Sequence, residues 1–130
     1  MTPSEDFARL LLSKARGDLA AASALAEDAA MPDDIVGFHC QQAVEKSLKS
    51  VLAQHDVDFP HTHDLAELAA LIGEAGIESP LSADDAGYLK PWAVELRYDA
   101  PTDKRLDRQR VLGVASAVAT WASGHVSEPG

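Results

Sequence analysis

The stretch FHCQQAVEKSLK, residues 38–49, decides the fold and the candidate site of this 130-residue chain. It contains no glycine or proline, and its apolar residues recur at the spacing of an α-helix. With about 3.6 residues per turn, one side of this helix carries Cys40, Val44, Leu48 and Val51. Another side carries Phe38, Gln42, Glu45 and Lys49, whose amide, carboxylate and amine stand in hydrogen-bonding register. This second side predicts polar contacts that either hold a polar ligand or fix neighbouring helices.

Capping signals predict another helix on the N-terminal side of this stretch. Thr2 and Glu5 form a capping box, and the apolar pattern that follows predicts a first helix that ends near Ala30. The helix that contains residues 38–49 is expected to span about residues 33–55, since a loop rich in aspartate and proline follows it.

Further helices are predicted toward the C-terminus. Asp64 and Ser82 stand as N-caps of a third and a fourth helix, each with an acidic residue three positions later. The fourth helix is expected to kink at Pro91, because proline lacks the amide donor, and to continue to Tyr98. A last helix is expected over about residues 103–123.

Together these patterns indicate an all-α protein, because alanine and leucine dominate while aromatic and β-branched runs are scarce. We predict one domain over residues 1–124, folded as an up-and-down bundle of four to five helices. Residues 125–130 are expected to form a disordered tail.

The charge balance narrows the function classes. The chain has 11 Lys and Arg against 21 Asp and Glu, a formal net charge of −10. Such a surface repels a phosphate backbone, which argues against non-specific nucleic-acid binding and suits a partner with a basic face. RNA binding stays possible at one local cluster of basic residues, which comprises Lys104, Arg105, Arg108 and Arg110. The chain shows no signal-peptide pattern and no apolar run near the ~20 residues of a membrane span, so we expect a cytoplasmic protein without membrane contact.

Neither a metal site nor a cofactor is predicted. Cys40 is the one cysteine, and its place on the apolar side of its helix predicts a small buried hydrophobe. His61 and His63 have chelating spacing, but a zinc site needs further ligands that nothing places beside them. His63 is instead expected to pack on the third helix and bond a neighbouring carboxylate.

The sequence alone does not decide the partners of two sets of charged residues. Glu45 and Lys49, four residues apart, form either a simple surface pair or part of a ligand-facing site. Arg97 suits bidentate recognition of phosphate or carboxylate. It forms either an internal salt bridge to Glu45 or Asp64, or a direct contact to a ligand.

These residues together resemble the HEPN family (higher eukaryote and prokaryote nucleotide-binding domains). The resemblance is carried by residues 38–49, by FPHTHDL at residues 59–65 and by ELRY at residues 95–98, and it extends over about residues 6–122. It implies a four- to five-helix bundle that is usually a homodimer. It also implies a gene encoded beside a minimal nucleotidyltransferase, as a toxin–antitoxin pair or a split enzyme.

Many members of this family are metal-independent ribonucleases with an arginine followed a few residues later by a histidine. Arg97 is present in this chain, but residues 98–104 contain no histidine, so the general acid and base of that mechanism is missing. Tyr98 does not match the position of the tyrosine that partner transferases modify in some members.

The resemblance and the residues together predict a non-catalytic module that binds a nucleotide or a nucleotidyltransferase partner as a homodimer. The expected site comprises Gln42, Glu45, Lys49, His63, Arg97 and Tyr98, with the cations facing phosphate. The alternative is a degenerate ribonuclease toxin in which His63 replaces the missing histidine. A third interpretation is that the polar set only locks helix packing. The dimer contact is expected at a face that includes Trp92, Val118 and Trp121.

Overall fold

The computed structural model of the chain describes residues 2–93 and 105–126. This part of the chain contains five α-helices and no strand. They are α1 (Pro3–Ala26), α2 (Asp33–Gln54), α3 (Leu65–Glu74), α4 (Ala83–Leu89) and α5 (Arg108–His125), with a 3₁₀ turn at Lys90–Trp92 after α4. The prediction of an all-α helical bundle is confirmed. None of the described helices is both long and apolar enough to cross a membrane.

The second helix, α2, lies at the centre of the bundle. It packs against α1, α3, α4, α5 and the 3₁₀ turn. Its apolar side is buried as predicted, with Cys40, Val44, Leu48 and Val51 fully inaccessible to solvent. Five polar residues of α2 are buried as well, namely Gln41, Gln42, Glu45, Ser47 and Ser50. A helix enclosed on several sides must satisfy its polar groups inside the protein, and this requirement shapes the candidate site.

The predicted N-caps are confirmed at three helices. The Thr2 side chain accepts from the Glu5 amide at 3.1 Å, and the Ser82 side chain accepts from the Asp85 amide at 3.1 Å. Asp64 accepts from the first amides of α3. Each of these bonds spans only two or three residues, which is why local sequence revealed them.

The α4 helix ends at Leu89 and a 3₁₀ turn follows it, instead of a helix kinked at Pro91. Two further helix ends differ from the prediction, and both lie beside Arg108. The α1 helix ends at Ala26 rather than near Ala30, because Arg108 Nη1 donates to the Ala26 carbonyl at 2.9 Å. The Ala30 amide, which would otherwise serve that carbonyl, donates to the Asp28 side chain at 2.9 Å. Arg108 also bonds the Asp28 carbonyl at 3.0 Å and therefore holds the α1–α2 loop.

The last helix begins at Arg108 rather than near residue 103. Asp33 on α2 accepts from Arg108 Nε at 2.8 Å and from the Leu106 amide at 3.1 Å. Because the Leu106 amide is bonded to α2, residues 105–107 stay outside the helix, and Asp107, whose backbone is extended, becomes the N-cap of α5. The helix runs to His125, and Val126 is buried, so these two residues belong to the folded part rather than to the expected tail.

Two of the three residues expected at the dimer contact are buried in the core of the single chain. Trp92 is 5% exposed and Val118 is fully buried, so both belong to the core of one chain. Trp92 packs directly over the backbone of Gly37 on α2. A large apolar residue buried within the bundle is not available to a second copy, so of the three expected contact residues only the partly buried Trp121 remains accessible.

Cys40 provides a chemical test of the core. Burial raises the pKa of its thiol to about 12, because the thiolate would be desolvated there. We expect the native protein to react slowly with a thiol reagent at mildly alkaline pH and the urea-unfolded chain to react fast. Stability should also fall as the pH rises above the ordinary thiol pKa, since only the unfolded chain releases that proton. Equally fast labelling of the native and the unfolded chain would contradict this burial.

Candidate functional site

The candidate site is centred on the Glu45 carboxylate, whose side chain is only 4% exposed. Its Oε1 accepts from His63 Nδ1 at 2.8 Å and from Gln41 Nε2 at 3.2 Å. Its Oε2 accepts from Lys49 Nζ at 3.1 Å. Removing a carboxylate from water is costly, and these three donors are what make its burial tolerable. Glu45 and Lys49 are therefore not a solvated surface pair.

Two glutamines extend this arrangement along α2. Gln42 Nε2 donates to Gln41 Oε1 at 2.7 Å. Gln41 Nε2 donates both to Glu45 and to the backbone carbonyl of His63 at 3.2 Å. We call the five residues Gln41, Gln42, Glu45, Lys49 and His63 the Glu45 cluster. Its bonds join α2 to the start of α3, and each side chain orients the next.

The loop before α3 sets the position of His63. The Thr62 hydroxyl accepts from the Asp64 amide at 3.1 Å and donates to Glu67 at 3.0 Å. Asp64 then caps α3, so the residue before it is held against α2. The His63 side chain remains 69% exposed although its Nδ1 is bonded to Glu45. A carboxylate oxygen only accepts, so Nδ1 carries the proton and the neutral ring keeps Nε2 as an acceptor.

The sequence placed six residues in this site, and the structure brings four of them together. Gln42, Glu45, Lys49 and His63 all belong to the Glu45 cluster. Arg97 and Tyr98 lie outside the described residues, so their predicted roles stay predictions. Lys49 donates to Glu45 and has a 13% exposed side chain, so in this structure its charge is matched inside the protein.

Sequence reasoning missed two features of the site. Gln41 links the other members of the cluster, and its position four residues before Glu45 was the available signal. The second feature is a cluster between α1 and α2. Asp18, whose side chain is 13% exposed, bonds His39 Nδ1 at 3.0 Å and Lys46 Nζ at 2.6 Å. His39 and Lys46 are seven residues apart and so share a face of α2, but nothing local pointed to Asp18.

An aromatic cleft adjoins the Glu45 cluster. It has a volume of about 370 Å³ and is formed by the start of α1, the end of α2 and the α2–α3 loop. The rings of Phe7 and Phe59 stack across it with centroids 6.5 Å apart. Lys49 Nζ lies 5.8 Å from the centre of the Phe59 ring, which connects the cleft to the cluster.

The fold and the cluster define a helical bundle whose central helix carries a buried polar site. The model of the HEPN domain matches residues 8–125, which is nearly the whole chain, and the chain therefore belongs to the HEPN family. Comparisons with curated proteins and with solved structures found no match. The HEPN assignment places this chain in a family of modules connected with nucleotides and RNA.

Proposed function

We propose that this chain is a non-catalytic HEPN module that works as a homodimer and binds a minimal nucleotidyltransferase. The two proteins would form a toxin–antitoxin pair or a split enzyme in the cytoplasm. A nucleotide is the second ligand of the proposal, with Arg97 and Tyr98 as the residues that would contact it. The formal net charge of −10 supports a basic protein surface as the main partner.

The single observation that supports the non-catalytic part of this proposal is that the side chains of the Glu45 cluster hydrogen-bond to one another. Lys49 and His63 both donate to the Glu45 carboxylate, and Gln42 donates to Gln41. A catalytic site usually keeps its charged groups directed at substrate in a cleft. Side chains bonded to one another in this way fix the surface formed by α2 and the α2–α3 loop, as a binding module requires.

The proposal predicts two assemblies that can be measured together. The purified chain should elute with twice its own mass when size exclusion is coupled to light scattering at micromolar concentration. After co-expression with the minimal nucleotidyltransferase of the neighbouring gene, both proteins should co-elute in a fixed ratio. A monomer over the whole concentration range, together with separate elution of the two proteins, would reject the proposal.

A second function is favoured by one observation, the pairing of exposed His63 with buried Glu45 at 2.8 Å. A carboxylate that orients an imidazole is the usual way to prepare a general base. This geometry fits the alternative of a degenerate ribonuclease toxin, with His63 in place of the missing histidine and Arg97 on the phosphate.

RNA cleavage separates the two functions. We expect the purified protein to leave structured and single-stranded RNA intact in the presence of a chelator, because the usual histidine after Arg97 is absent. Cleavage that disappears in both Arg97→Ala and His63→Ala, and persists in His61→Ala, would establish the ribonuclease instead. His61 is the matched control because it is an exposed histidine in the same loop.

A further inference from the structure

The aromatic cleft continues into an exposed apolar strip on α1. Phe7 is 47% exposed and Leu10 is 53% exposed, an unusual exposure for side chains of this size. They are three residues apart on one helix and therefore lie on the same face. The strip thus reaches about one helical turn beyond the cleft, which is more surface than a small ligand inside the cleft would cover.

The rim of the cleft is acidic. Asp56 and Asp58 both line it, and both are exposed. Within the described part of the chain, neither carboxylate has an ion pair or a side-chain hydrogen bond. The nearby Lys49 is bonded to Glu45 and leaves this rim charge unmatched. An apolar surface beside unmatched carboxylates is complementary to apolar side chains flanked by cations.

We propose that the cleft and the Phe7–Leu10 strip bind a basic amphipathic helix of a partner protein. Apolar side chains at helical spacing would lie against Phe7, Leu10 and Phe59, while Lys or Arg side chains of the partner pair with Asp56 and Asp58. This inference deepens the proposed function and rests on it for the partner being a protein. A second copy of this chain fits the surface less well, because it would bring another net charge of −10 to an acidic rim.

The rim can be neutralised without loss of the fold. Asp56 has a positive φ of 57° directly after α2, and the Val57 amide closes the helix end on the Leu52 carbonyl at 2.9 Å. Asparagine adopts this left-handed conformation as readily as aspartate. The Asp56→Asn/Asp58→Asn variant therefore removes two charges while the backbone keeps its shape.

The test is a displayed library of amphipathic helical peptides selected against the intact protein. We expect enriched peptides to combine apolar residues at helical spacing with Lys or Arg. Their affinity, measured by fluorescence anisotropy, should fall about tenfold or more in Phe7→Ser and in Asp56→Asn/Asp58→Asn. The control Glu78→Gln, which removes one exposed charge outside the cleft, should bind as the wild type does.

Three results would overturn the inference. They are the absence of enriched peptides, enrichment of neutral or acidic ones, and binding that is insensitive to the cleft variants. A dimer that dissociates in Phe7→Ser and Leu10→Ser would show instead that the strip is a self-contact. If the nucleotidyltransferase complex forms equally well with the wild type and with these variants, the proposed function stands and only the docking site is wrong. If peptides bind in the cleft and no such complex forms, the docking site stands and the nucleotidyltransferase is the wrong partner.

Discussion

Replacement of Glu45 by alanine is expected to destabilise the protein by about 3 kcal/mol or more, because it leaves the Lys49 ammonium and the buried Gln41 amide without this acceptor. The side chain is 4% exposed and receives hydrogen bonds from Lys49, His63 and Gln41. Urea denaturation followed by circular dichroism would measure the loss. Glu78→Ala is the matched control, since this exposed glutamate lies in the α3–α4 loop and its removal should change stability by less than about 0.5 kcal/mol.

A double-mutant cycle tests whether the Glu45 cluster acts as a unit. Lys49→Met keeps much of the side-chain shape and removes the charge that Glu45→Ala would strand. We expect the Glu45→Ala/Lys49→Met protein to lose less stability than the two single variants added together. Small and additive losses would mean that solvent satisfies these groups and that the cluster is not an energetic unit.

Gly37→Ala should be the second strongly destabilising change, by about 2 to 3 kcal/mol. A Cβ atom at position 37 would lie 2.7 Å from Trp92 Cδ2 and 2.8 Å from Trp92 Cγ. Because the indole ring is 5% exposed and packed in the core, it has little room to retreat. Loss of stability in urea and a changed near-ultraviolet signal of the tryptophans would both be expected.

Gly17→Ala is the control of opposite sign. It also lies inside a helix, but a Cβ atom there would have nothing within 4 Å. The substitution should stabilise the protein by about 0.5 to 1 kcal/mol, because alanine loses less backbone entropy than glycine in a helix. If Gly37→Ala were as stable as Gly17→Ala, the close contact between α2 and Trp92 would be wrong.

Much of the candidate site was readable in α2 because its members are near one another in sequence. Gln42, Glu45 and Lys49 stand at helical spacing, and the structure places their polar groups in one cluster. His63 was expected to bond a carboxylate, and Glu45 is that partner. The burial of the polar residues of α2 could not be predicted, because an amphipathic pattern identifies one apolar face and does not show how many helices pack against the other faces.

The sequence by itself determined the helical class, the order of the helices and the caps at Thr2, Asp64 and Ser82. These features depend on side-chain periodicity and on hydrogen bonds to amides a few residues away. Only the tertiary structure decided where α1 ends and where α5 begins. At the end of α1, Arg108 bonds the Ala26 carbonyl across 82 residues of chain. At the start of α5, Asp33 accepts from the Leu106 amide and from Arg108, which is 75 residues away in the chain. A local sequence pattern cannot predict such a partner, because the two groups come into contact only after the bundle has folded.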